Sequence, residues 1–105
     1  MRDYITIFGR QVRVECNWNA IMAFMEATGT DLSALEHLTN SQQAALLVAC
    51  VREGQRMDGE SVDFTIERFG ELRTREALRV IGAFWPIFEK QNAGDPESEA
   101  EAKKD

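Results

Sequence analysis

A mainly helical α+β fold, in which a short N-terminal β-hairpin packs on a small bundle of about four helices, is predicted by three features of the sequence. Residues 4–15 hold two β-branched runs around Gly9-Arg10, the stretch Ala44 to Val51 is apolar at every position, and from Thr65 onward apolar residues recur at helical spacing. With 105 residues and 44% apolar content, the chain can bury one core and hardly two. A single globular domain over residues 1–92 is therefore expected.

The hairpin is assigned to residues 4–15. Tyr4-Ile5-Thr6-Ile7-Phe8 and Gln11-Val12-Arg13-Val14-Glu15 flank Gly9-Arg10, and a glycine at the first position of a two-residue loop suits a tight hairpin turn. Val12 and Val14 alternate with Arg13 and Glu15, and Ile5 and Ile7 are their natural cross-strand partners. Two strands alone are marginal in water, so their apolar face should lie on the helices.

The first helix is expected over about 17–28, capped by Asn17 and stopped by Gly29, with Trp18, Ile21, Met22 and Met25 on one side, Phe24 widening the stripe and Trp18 in the core. Asp31 suits the cap of a short turn of helix from Ser33 to Leu38, with Leu32, Leu35 and Leu38 three apart. Asn40 or Ser41 is placed as the cap of a helix over about 41–56. Being apolar all round from Ala44 to Val51, it belongs at the centre of the bundle, with Gly54 and Asp58-Gly59 marking its end.

Thr65 and Thr74 suit caps for helices over about 65–72 and 74–90, and Glu76 sits favourably near the positive end of the second. Pro86 should kink or end that helix near Phe84 and Trp85, because proline removes a hydrogen bond and crowds the preceding turn. Residues 93–105 read as a disordered acidic tail. They hold five of the eighteen acids and two of the twelve bases, which leaves thirteen acids against ten bases before them.

Little of this suits catalysis. His37 is the single histidine, so no histidine triad or two-histidine metal site can be built in one chain. Cys16 and Cys50 lie in apolar contexts with neither metal-ligand spacing nor a local activating cluster, and are expected as free buried thiols in a reducing cytoplasm. Asp58 with Glu60, and Glu67 with Glu71, lack the further ligands of a calcium loop and read as solvated surface. No catalytic, metal or cofactor site and no membrane span is expected.

Two stretches suit partner binding. Arg68, Arg73, Arg75 and Arg79, joined by Arg52 and Arg56 if the fold brings them near, form the one basic concentration and suit contact with phosphate or an acidic partner, but Glu67, Glu71 and Glu76 interleave with them, which favours intramolecular or interface ion pairs over a nucleic-acid footprint. Ala83-Phe84-Trp85-Pro86-Ile87-Phe88 gathers more aromatic surface than one core face can hold. These aromatics form either a partner's docking surface or a kinked helix closing over the hairpin, and on the first reading Phe84, Trp85, Ile87 and Phe88, with Arg75 and Arg79, are the candidate protein-binding residues.

The order of short motifs completes the reading. Tyr4 to Gly9 opens as strand and turn, Met25-Glu26-Ala27-Thr28-Gly29-Thr30-Asp31-Leu32 closes a helix, Ala49-Cys50-Val51-Arg52-Glu53-Gly54 ends the central one, and Asp63-Phe64-Thr65 opens the next. Over about residues 4 to 90 this resembles the small tail assembly chaperones of long-tailed bacteriophages and prophages. The resemblance implies a non-enzymatic protein that coats the long helical tape measure protein, keeps it soluble and helps recruit tail tube subunits, with self-association possible. Pro86 and its aromatics match no motif of that family, and no family functional residue carries over. The competing reading is a small helical regulatory or nucleic-acid-associated protein using the Arg68 to Arg79 segment.

Overall fold

The computed structural model describes residues 2–93, so the expectation of a disordered tail falls, from Gly94 on, outside the described residues. The fold is α+β: strands β1 (Asp3–Ile7) and β2 (Arg10–Val14) form an antiparallel hairpin, followed by helices α1 (Trp18–Thr28), α2 (Asn40–Met57), α3 (Ile66–Phe69) and α4 (Thr74–Asn92). Among the described residues no helix is long and apolar enough to cross a membrane.

The hairpin's loop is Phe8-Gly9, not Gly9-Arg10, because Ile7 pairs with Arg10 and Ile5 with Val12. Both loop residues take positive φ, 54° and 73°, the geometry of the turn whose twist matches the strands. Either register puts the same side chains on the same face, since the two differ by an even number of residues. That face, Ile5, Ile7, Val12 and Val14, is buried. β2 lies on α2, where the Glu15 N–H donates to the Cys50 carbonyl at 3.0 Å, and β1 lies on α4. Gly54, inside α2 rather than at its end, permits this approach: a Cβ there would stand 2.1 Å from the Arg13 carbonyl oxygen.

α2 is the central element, with every residue from Leu46 to Val51 buried. Its cap is Thr39 rather than Asn40 or Ser41: Thr39 Oγ1 accepts from Gln42 N–H at 3.2 Å while Gln42 Oε1 accepts from Thr39 N–H at 2.9 Å. Asn17 caps α1 and Gly29 ends it with φ 69°, both as expected. The next turn, capped by Asp31, is a 3-10 segment, Leu32–Glu36, which begins one residue before and ends two before the expected Ser33 to Leu38 and buries no side chain fully.

Trp18 does not belong to the core. It is 57% exposed and Met22 44%, whereas Ala20, Ile21 and Phe24 are buried. At 100° per residue Trp18 and Phe24 lie about 240° apart, so a helix burying Phe24 turns Trp18 outward. α3 is a single turn within the expected 65–72, capped by Thr65 and stopped at Gly70, and it seats Phe69 in the core.

α4 runs through Pro86 to Asn92, so it does not end near Phe84 and Trp85. Pro86, Gly82 and Ala83 are exposed, so the carbonyl that loses its helical donor faces water, which can supply a replacement. Arg73, not Thr74, precedes its first turn as the cap, without a side-chain bond.

Candidate interaction surfaces

The sequence-predicted aromatics form a knot on α4. Phe84 is fully buried, which removes it from any docking surface. Trp85, Ile87 and Phe88 are half-buried and pack against the core. The rings of Phe84, Trp85 and Phe88 stand 5.3 to 5.8 Å apart, centroid to centroid, and Trp85 Nε1 donates to Gln43 Oε1 of α2 at 3.0 Å. Such edge-on packing with a satisfied indole N–H is how a helix closes over its own core. The basic residues are also largely occupied: Arg79 pairs with Glu76 and donates to the Thr6 carbonyl at 2.8 Å, tying α4 to β1, and Arg68 pairs with Glu71 at 2.9 Å and stacks 4.3 Å from the Phe8 ring. Arg75 is exposed and in no ion pair among the described residues. The six candidates are therefore not one surface, since Phe84 and Arg75 face opposite environments.

The titratable groups with displaced pKa values serve the fold. Glu53 is 6% exposed and accepts from Arg56 at 2.7 and 2.9 Å, from Asn17 at 2.6 Å and from Asn19 at 3.1 Å. These donors, Arg56 foremost, outweigh the opposing push of burial and hold its pKa down at about 2. The carboxylate thus joins the start of α1 to the end of α2. Arg13 donates to Asp58 at 2.7 Å and to Glu15 at 3.3 Å, and this pairing raises its pKa. The thiols of Cys16 and Cys50 are free and buried, and a hydrogen bond with the Cys16 thiol, then burial, pushes Cys50 well above the usual thiol range. His37 caps the 3-10 turn at the surface. Among the described residues no three of His, Cys, Asp or Glu come together in a way that could hold a metal ion.

The surface that the sequence did not indicate lies beside α1. This helix is apolar on nearly every side, Asn19, Glu26 and Thr28 excepted, yet only one flank faces the core. Trp18 and Met22 project from one of its remaining flanks, and Ala23 and Ala27 from another. The alanine flank borders an open groove of about 330 Å³ whose other wall is α2 (Ala45, Val48, Ala49, Arg52) and whose end is Thr65 and Ile66. A second hollow of about 220 Å³ continues it toward Asn19, Glu53 and Val62, sharing Ala23, Ala49 and Arg52.

The chain matches no protein-family model, no curated protein and no solved structure.

A further cavity of about 420 Å³ lies under the hairpin tip, lined by Phe8, Arg10, Gln55, Asp63, Phe64 and Arg68 among others. Its polar groups are mutually satisfied. Gln55 donates to Asp63 at 2.7 Å and accepts from the Phe64 N–H at 3.3 Å, and Arg10 pairs with Glu60 at 3.1 Å. Exposed alanines are unremarkable in a sequence, but the two i, i+4 pairs Ala23/Ala27 and Ala45/Ala49 were the available signal for a groove.

Proposed function

We propose that this protein is a non-enzymatic chaperone of the phage tail-assembly type, which covers amphipathic helices of a long tape measure protein and assists assembly of the tail tube. One observation carries the reading: α1 leaves Trp18, Met22, Ala23 and Ala27 exposed on a helix that is apolar almost all round. Unpartnered apolar helix surface on a domain this small is a usual mark of a protein-binding face. The motif order from Tyr4 to Thr65, which resembles such chaperones, supplies the partner class. The mixed-charge surface, with Arg68, Arg79 and Lys90 in ion pairs, suits reversible protein contact better than a polyanion.

The test is co-expression of the full chain with the protein encoded by the next long reading frame downstream of its gene, followed by affinity capture and native mass measurement. A long helical protein carrying several copies of this chain is the expected result. Recovery of the chain alone, with that protein soluble by itself, overturns the reading.

A further inference from the structure

Between α1 and α2 the groove combines an apolar floor with one cation that has no counter-charge. Arg52 stands where the two hollows meet. One of its guanidinium N–H groups donates to the Phe64 carbonyl at 2.7 Å, which anchors the head at the rim, and the residue is otherwise exposed. Among the described residues it is in no ion pair, unlike Arg56 one turn on, which is committed to Glu53. We propose that this groove seats one amphipathic α-helix of a partner protein, which lays bulky aliphatic side chains on the alanine floor and directs a carboxylate to Arg52. The inference rests on the protein-binding reading above and assigns it a surface.

Shape selects a helix. The groove follows α2 from Ala45 past Arg52 to Arg56, about 16 Å at 1.5 Å per residue, or about three helical turns. Its walls are helices, whose backbone donors and acceptors are spent internally, so an extended strand entering here finds no edge to pair with. A helix brings its own hydrogen bonds and needs only side-chain complementarity. An alanine floor lets the incoming backbone come close and leaves volume for Leu, Ile or Met from the partner, with Val48 and Ile66 as side walls. Charge selects the polarity. A carboxylate brought to Arg52 meets a guanidinium already oriented by the Phe64 carbonyl, while a lysine brought there meets a like charge, the neighbouring Glu53 carboxylate being committed to Arg56, Asn17 and Asn19.

The experiment uses the full chain and two synthetic peptides of about 14 residues with the same leucine stripe. One carries glutamates beside the stripe and the other lysines. Fluorescence anisotropy of each labelled peptide should show at least tenfold tighter binding of the glutamate peptide. Arg52→Glu should reverse that order. Ala27→Trp, at an exposed position that leaves the core untouched, should weaken the glutamate peptide at least tenfold with an unchanged thermal melt. Equal affinity for both peptides, or binding indifferent to Ala27→Trp, overturns the proposal. Self-association of the unmodified chain that Ala27→Trp abolishes, with no peptide bound, overturns it in favour of a second copy as occupant. Co-expression separates the two readings. Full capture of the downstream-encoded protein by both variants sinks the groove and leaves the chaperone reading standing, whereas peptide discrimination without any such capture keeps the groove and sinks the chaperone reading.

Discussion

Gly54→Ala sets two physical effects against each other. Gly54 is buried within α2, and alanine is the better helix former there by about 1 kcal/mol, so local propensity alone forecasts a more stable protein. The tertiary structure forecasts the opposite. The new Cβ would stand 2.1 Å from the carbonyl oxygen and 2.6 Å from the carbonyl carbon of Arg13, both backbone atoms that no rotamer change can move. Relief requires β2 to retreat from α2 by about 1 Å, which over-packs one contact, opens its neighbours and stretches the 3.0 Å bond from Glu15 N–H to the Cys50 carbonyl. Over-packing costs about 1–3 kcal/mol and a weakened buried hydrogen bond about 1 more. After subtracting the propensity gain, a net loss of about 1–3 kcal/mol is expected, a large share of the ~5–15 kcal/mol typical of a domain. Urea unfolding followed by circular dichroism should show a lower midpoint with an unchanged slope. Gly82→Ala in α4, where an added Cβ meets nothing within 4 Å, is the control and should gain up to about 1 kcal/mol. A Gly54→Ala protein as stable as the parent would refute the close approach of β2 and α2.

Three further outcomes follow from the same packing. Glu53, held at about 2 against an ordinary 4.5, stabilises the fold fully above pH 4.5, and that contribution should fade as the pH falls toward 2. Glu53→Gln should flatten this part of the acid-unfolding curve, and an unaltered curve would show that Glu53 does not join α1 to α2. Pro86→Ala should raise the melting temperature, by the equivalent of about 1–3 kcal/mol, because α4 already passes through this exposed position; a lower melting temperature would mean that the proline supports the helix's path. Cys16 and Cys50 should react with a thiol reagent such as dithionitrobenzoate only after denaturant is added, and rapid labelling of the native protein would contradict their burial.

The sequence by itself determined the fold class, the hairpin, the central place of α2 and several helix ends. These depend on local chemistry: period-2 alternation, an unbroken apolar run, an asparagine that caps, a glycine that takes positive φ. Where local chemistry permits two answers, tertiary structure chose. Both hairpin registers bury Ile5, Ile7, Val12 and Val14, and the observed one brings Arg10 to Glu60 and Asp3 to Lys90 and Gln91. A helix as uniformly apolar as α1 has no preferred inner face until Phe24 and Ile21 are buried in the core as α1 packs on α2, and that choice turns Trp18 and Met22 outward. Pro86 appeared to end a helix because its cost is local, but packing of Phe84, Trp85 and Phe88 on both sides of it outweighs one lost hydrogen bond on the solvent side. The same packing took Phe84 out of the candidate docking residues. The groove was the least legible feature, since it exists only once α1, α2 and the start of α3 are brought together, and the i, i+4 spacing of its alanines is the one faint signal of it in the sequence.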